Sequence, residues 1–270
     1  MSVAIGIDLG GTNLRAAVFS GLPDSAEAVL VHREDVGSDR SPTAIVERLG
    51  VLIPKLLQQA ELGGLCIPVG IGFAGMLRGR DGYVANSPNF GWRNVDLGTL
   101  LRTQLGERYN VGIYNDVNAI TYGEFKLGAG VGASDILAVF VGTGIGAGAV
   151  CDGILLQGAN NTATELGHTK VVIDEDALPC SCGLKGCVEA YVGGKLLQER
   201  ARRDLDSWAS SAAVELAGSV ENVHPGHLDA AAAEGDDYAL ELYSEVSPML
   251  GLAIANAVTL LNPGRLVLGG

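Results

Sequence analysis

The chain has 270 residues, 47% of them hydrophobic and 18% charged, with a formal net charge of −13. That length and hydrophobic content suit one large domain or two lobes around a sizeable core, and exclude a disordered chain. The acidic balance argues against nucleic acid and anionic membrane as partners, so an anionic ligand would need local donors rather than the global field.

Val3–Asp8 reads as a strand, Gly10-Gly11-Thr12 as a glycine turn, and Leu14–Phe19 as the returning strand. Val29–Glu34 reads as a third strand. Ser41-Pro42 has the cap and first-turn chemistry of a helix start, and the helix is expected to reach about Leu62 with a kink or break at Pro54. A buried strand is expected over Leu65–Phe73, whereas residues 75–96, with Asn86-Ser87-Pro88-Asn89-Phe90-Gly91-Trp92 in their middle, read as loop. A helix over about 97–108 precedes a buried strand, Val111–Tyr114, that ends at Asn115-Asp116; a further helix should run to about Lys126 and stop at Gly128 and Gly130. The opening pattern then returns as strand Ile136–Val141, glycine turn Gly142-Thr143-Gly144-Ile145-Gly146 and strand Ala147–Cys151. This echo predicts two related lobes, each opening on a glycine-tipped hairpin, with the boundary near Asp116. Residues 188–262 read as largely helical, and Arg265–Leu268 as a last buried strand. The uncharged stretch 246–264 is nearly of membrane length, but Pro248, Asn256, Thr259, Asn262 and Pro263 interrupt it, so a buried helix is expected. No basic stretch precedes the apolar N-terminus, which argues against a signal peptide.

Strands alternating with helices indicate α/β layers, which bind ligands at the carboxyl ends of their strands, where Asp8, Gly75, Asp116 and Gly142 fall. In Asp8-Leu9-Gly10-Gly11-Thr12 the unshielded N–H groups can form an anion nest, and Asp8 could hold magnesium through water; an ordinary hairpin turn reads the same way. Gly142-Thr143-Gly144-Ile145-Gly146 is a second phosphate-type turn that lacks the dinucleotide spacing and the GK[ST] of a P-loop. Asp116 suits a general base for a hydroxyl, although Asn115-Asp116 equally suits a helix cap. Asn89 offers a donor and an acceptor to a sugar diol, or is a turn asparagine.

The strongest local signal is His168 with Cys180, Cys182 and Cys187, a set of four N/S ligands for a closed, structural zinc site. Such a knot can hold Glu165, His168 and Glu189 together as a rigid polar pocket for a small molecule rich in hydroxyls. Cys66 and Cys151 lie in apolar segments and read as small buried residues, and five cysteines without evident pairing suit a reducing cytoplasm.

In order along the chain, DLGGTNLR, GFAG at 72–75, NSPNFGW, NDVNA, VGTGIGAG, ELGH and CSCGLKGCVE resemble the ROK family of sugar kinases, and within it the bacterial glucokinases. The resemblance implies a two-lobed actin/hexokinase-like (ribonuclease H-like) α/β fold with an interlobe cleft and a structural zinc site. It implies a small α/β lobe over 1–115, a large lobe with the zinc loop over 116–262, and a final strand over 263–270 returning toward the nucleotide. It further implies ATP-dependent phosphorylation of a hexose 6-hydroxyl, glucose foremost, with Asp116 as base. Gly75, Asn89, Asp116, Glu165, His168 and Glu189 would line the sugar. Gly10, Gly11, Thr12 and Gly144 would face the phosphates, joined by Asp8, Gly142 and Thr143 from the turn chemistry above; Mg²⁺ and Zn²⁺ complete the set. A cytoplasmic homodimer is the family expectation. An N-acetylglucosamine or N-acetylmannosamine kinase, or a sugar-binding protein with impaired catalysis, is the alternative. A sugar-responsive repressor is disfavoured, because the chain opens directly on its first strand. Two departures stand out: Ala74 replaces the family's usual Pro, and the chain stops at Leu268-Gly269-Gly270 where family members continue, so an adenine pocket built from these residues alone is expected to be incomplete.

Overall fold

The structure, a computed structural model, describes residues 2–22, 26–62, 66–79, 81–208 and 210–270. The chain divides into two compact units, Met1–Gly132 with Leu155–Ala163, and Ala133–Ile154 with Thr164–Gly270. The expected boundary at 115/116 falls inside the first unit, at a strand–helix junction.

The first unit is built on a five-stranded sheet in the order β3-β2-β1-β4-β8, where β1 is Ser2–Leu9, β2 Asn13–Leu22, β3 Glu27–Asp35, β4 Ile67–Phe73 and β8 Tyr109–Asn115. β1, β4 and β8 are parallel, with Leu9, Phe73 and Asn115 in one row, so Asp8 and Asp116 both emerge at the carboxyl edge. Helix α1 (Pro42–Gln59) is capped by Ser41, whose Oγ accepts from the Ala44 N–H, and buries Ile45, Leu49, Leu52, Ile53, Leu56 and Leu57 at helical spacing. Pro54 neither breaks nor splits it: the ring lies on the exposed face, where the carbonyl it leaves unbonded can meet water. Of the expected strand over Leu65–Phe73, Leu65 lies outside the described residues.

Residues 75–96 correct the loop reading. They form a three-stranded antiparallel sheet of β5 (Met76–Arg78), β6 (Tyr83–Ser87) and β7 (Trp92–Asp96). Its core is an aromatic cluster in which Phe73 stacks on Phe90 at 5.1 Å and on Trp92 at 5.4 Å between ring centroids. Trp92 Nε1 donates to the Arg40 carbonyl at 2.7 Å, which satisfies the indole inside that core. Helix α2 (Leu97–Leu105), capped by Asp96, leads into β8, and α3 (Asp116–Leu127) leaves it.

The second unit repeats the plan in a four-stranded sheet, β11-β10-β9-β12, with β9 Ile136–Val141, β10 Ile145–Cys151, β11 Ile154–Leu155 and β12 Arg265–Gly269. Both sheets place a glycine-tipped antiparallel hairpin beside a parallel strand, β2-β1-β4 in one and β10-β9-β12 in the other, which is the echo expected from the sequence. The helices are α4 (Glu189–Val192), α5 (Gly194–Leu205), α6 (Ala212–Ala217), α7 (Pro225–Ala233) and α8 (Asp237–Leu261).

Three burial expectations are corrected. α8 buries Tyr238, Ala239, Leu242, Val246 and Ala253 on one face, while Leu252 and Leu260 are exposed; it is long and apolar enough to cross a membrane by length and composition, and only 11% of its most apolar stretch is buried, so the expected buried helix is not what the structure shows. In β12 only Val267 is buried, because the strand is the sheet's outer member. Cys66 is exposed and Cys151 half-buried.

Candidate functional site

In the first unit, Gly10 N–H closes the β1–β2 turn on the Asn13 carbonyl at 3.1 Å. A Cβ on Gly11 would stand 2.8 Å from Asn89 Cβ, so the glycine turn and the asparagine loop meet in van der Waals contact. Asp8 faces Arg15 across the hairpin, 3.7 Å from its guanidinium. Burial raises the Asp8 pKa above the ordinary carboxylate value, and the Arg15 charge opposes that shift.

Asp116 opens α3 directly after β8. Its Oδ1 accepts from Asn115 Nδ2 at 3.1 Å and from the Val117 N–H at 2.9 Å. Asn115 is the cap, accepting from the Asn118 N–H, and its Nδ2 also donates to the Gly75 carbonyl at 3.3 Å. The cap is Asn115 rather than Asp116, and the Asn115 Nδ2 and Val117 N–H fix Asp116 Oδ1. Gly75 is required for packing, since a Cβ there would lie 2.8 Å from the Phe73 ring and 3.0 Å from Ser87 Cβ. Gly75, Asn115 and Asp116 are thus gathered at one strand edge.

In the second unit, the 3₁₀ turn Leu166–His168 and the zinc loop converge on the second glycine turn. A Cβ on Gly167 would overlap the Ile145 carbonyl, and one on Gly144 would overlap Glu189 Oε2. Ile145 N–H donates to Glu189 Oε2 at 3.0 Å, and Ser181 Oγ donates to Glu189 Oε1 at 2.9 Å. Burial raises the Glu165 pKa; the neighbouring His168 lowers it and Glu189 adds to the rise. The expected grouping of Glu165, His168 and Glu189 is present. Thr143 and Gly142 accept from the first N–H groups of α5, Lys195 at 3.0 Å and Gly194 at 2.9 Å, which fixes the turn against that helix. Beside it lies a cavity of about 710 Å³ whose wall includes Gly142, Thr143, Lys195, Gln198, Asp229 and Tyr243. Tyr243 Oη donates to Asp229, and burial together with that bond pushes its ionisation up.

His168, Cys180, Cys182 and Cys187 offer ligand atoms that all lie within 4.8 Å of one another. Cys182 and Cys187 sulfurs are 3.7 Å apart, and Cys180 Sγ is 3.6 Å from His168 Nδ1. A tetrahedral zinc with bonds of about 2.3 Å to sulfur and about 2.0 Å to nitrogen has edges of about 3.8 Å between sulfurs and about 3.6 Å from sulfur to nitrogen. The cluster fits that ion, with Nδ1 as the His168 ligand and Nε2 left for another partner. Lys170 Nζ lies 2.9 Å from Cys187 Sγ and supplies a counter-charge to the thiolates.

Of the residues that matter, the motif reading assigned no separate role to Ser181, Gly167, Gly193 or the Ile145 N–H. Gly167 carries a signal, since it stands in ELGH; Gly193 lies outside the motifs quoted above. Ser181 carries none beyond its place between two cysteines.

Two glycine-tipped hairpins at the ends of two similar sheets, together with a His/Cys₃ knot spaced for a zinc ion, define an α/β protein of duplicated plan. The chain belongs to the ROK family, whose model matches residues 4–270. The glucokinase of Thermotoga maritima is 34% identical over 98% of this chain and 81% of that protein. The N-acetylgalactosamine kinase AgaK of a Shewanella species is 32% identical over 98% of this chain and 80% of that protein. The crystal structure of a ROK glucokinase from Streptomyces griseus, in complex with glucose and AMPPNP, superposes with a TM-score of 0.82 at 28% identity, over 100% of this chain and 83% of that one.

Proposed function

We propose that this sugar kinase transfers the γ-phosphoryl group of ATP to the 6-hydroxyl of a hexose, glucose foremost. The observation that carries the reading is the placement of Asp116 at the β8–α3 junction, its Oδ1 oriented by Asn115 and by the Val117 N–H. Asp116 takes the proton from the 6-hydroxyl as that oxygen bonds to phosphorus and the bond from phosphorus to the ADP oxygen breaks. Phosphoryl transfer asks little covalent work of the protein, so positioning and charge stabilisation dominate. Gly75, Asn89, Glu165, His168 and Glu189 are the candidates to hold the remaining hydroxyls. Gly11, Thr12, Thr143 and Gly144 turn backbone N–H groups to phosphate, Gly10 and Gly142 shape those turns by bonding the Asn13 and Gly144 carbonyls, and the cavity beside α5 accepts the nucleoside. Asp8 would hold magnesium, which when bound would supply charge neutralisation on the phosphates. Zinc on His168, Cys180, Cys182 and Cys187 is structural. The protein works in the cytoplasm as a homodimer.

The N-acetylhexosamine reading is favoured by the Shewanella relative. A coupled ADP-release assay with glucose, mannose and N-acetylglucosamine separates the two, and polyphosphate in place of ATP tests the donor. Turnover highest on glucose supports the leading reading; turnover confined to the acetylated sugar replaces it. Sugar binding by calorimetry with no turnover on any of them would leave a binding protein.

A further inference from the structure

Glu189 is held at both ends of its carboxylate. Oε2 accepts from the Ile145 N–H at the tip of the second glycine turn, and Oε1 accepts from Ser181 Oγ in the zinc loop. The glycine turn and this carboxylate pack closely, since a Cβ on Gly144 would overlap Oε2, and at the end of α4 a Cβ on Gly193 would press on the Glu189 backbone carbonyl at 2.7 Å. Ser181 stands between Cys180 and Cys182, and Cys180 is itself buried. When both flanking sulfurs bind one ion, the backbone that carries the Ser181 hydroxyl loses its freedom, so the entropy of holding that hydroxyl at Oε1 is already spent on the metal. An exposed serine would ordinarily gain little from a hydrogen bond that water can replace. Here the donor is pre-placed and the acceptor is charged, the arrangement in which such a bond is strongest.

We infer that Ser181 is a positioning residue: it orients the Glu189 carboxylate and so transmits the order of the zinc loop to the glycine turn at Ile145. The inference rests on the proposed role of Glu189 in holding the hexose, but its direct readout does not. With the Ser181 hydroxyl removed, Glu189 retains only its Ile145 contact and samples other rotamers, which weakens its hold on substrate and on turn alike.

The test compares Ser181→Ala, Ser181→Thr and the unaltered full chain, each with its zinc. Ser181→Ala is expected to keep the zinc-to-protein ratio, to raise the hexose KM roughly tenfold with kcat little changed, and to speed hydrogen exchange at the Ile145 amide. Ser181→Thr, which keeps the hydroxyl, restores both. A Ser181→Ala protein with full zinc, unaltered Ile145 exchange and unaltered KM overturns the inference. So does loss of zinc from that variant, which would make Ser181 a part of the metal loop alone. If the unaltered chain turns over no hexose, the kinase reading fails while Ile145 exchange still decides the role of Ser181.

Discussion

Gly11 and Asn89 lie in direct contact: the space a Gly11 Cβ would need ends 2.8 Å from Asn89 Cβ. One residue belongs to the turn expected to face phosphate and the other to the loop expected to face sugar, so a single methyl group should disturb both. Gly11→Ala is expected to push Asn89 aside, an overpacking that costs about 1–3 kcal/mol where neighbours cannot yield. On a surface turn the lower end, about 1 kcal/mol, applies; carried into substrate binding it corresponds to roughly a fivefold loss in kcat/KM. Steady-state kinetics with hexose and ATP varied in turn checks it. Unchanged KM values for both would show that the contact has no bearing on binding.

Asp116→Ala removes the proposed base and leaves the Asn115 bond to Gly75 in place. A positioned base of this kind contributes ~10²–10⁴-fold, so kcat should fall by that factor. Hexose affinity by calorimetry should change far less, because the other sugar contacts remain. Turnover within a few-fold of normal would mean that another group takes the proton.

Much of this architecture can be read from the chain itself. Glycine turns flanked by apolar runs mark both hairpins, and three cysteines with one histidine at short spacing mark the metal knot, because those chemistries are local. What escaped is non-local. The sheet over 75–96 reads as loop because its core depends on Phe73, contributed from β4, stacking on Phe90 and Trp92. Proline and asparagine in that stretch mark turns correctly, but between short strands rather than within a loop. Cys66 reads as buried from its apolar neighbours, yet the chain passes it before β4 enters the core. Ser181 escaped because a serine's meaning lies in its acceptor, and Glu189 is reached only once the zinc loop folds back.

With zinc on the His/Cys₃ knot as proposed, metal content and stability would be one quantity. Cys182→Ser should lower bound zinc and the unfolding midpoint together. A loss of about 3 kcal/mol, at roughly 2–4 °C per kcal/mol for a chain of this size, amounts to about 6–12 °C. In the metal-free protein, burial pushes the Cys180 thiol up to about 11, so zinc must displace its proton on binding. Zinc affinity should therefore rise with pH, about tenfold per pH unit for each proton released. Metal analysis and thermal unfolding on the same samples decide the point: full zinc in Cys182→Ser would remove that residue from the ligand set.

With Asp8 as the proposed magnesium holder, its pairing with Arg15 would tie nucleotide binding to pH. Burial raises its pKa and Arg15 opposes the rise, so in the folded chain Asp8 takes up its proton at a higher pH than an ordinary aspartate. Only the ionised form can hold magnesium through water. As pH falls, the KM for Mg-ATP should begin to climb earlier than an unperturbed carboxylate would dictate. Arg15→Gln removes the opposing charge and should move that limb to still higher pH. Both side chains are about half exposed, 54% for Arg15 and 48% for Asp8, so the pairing is screened and the displacement modest. Added salt should bring the unaltered protein toward the Arg15→Gln profile and leave the variant little changed. Profiles of KM against pH at two ionic strengths check this, and coincident curves for the two proteins at low salt would show that Arg15 does not govern Asp8.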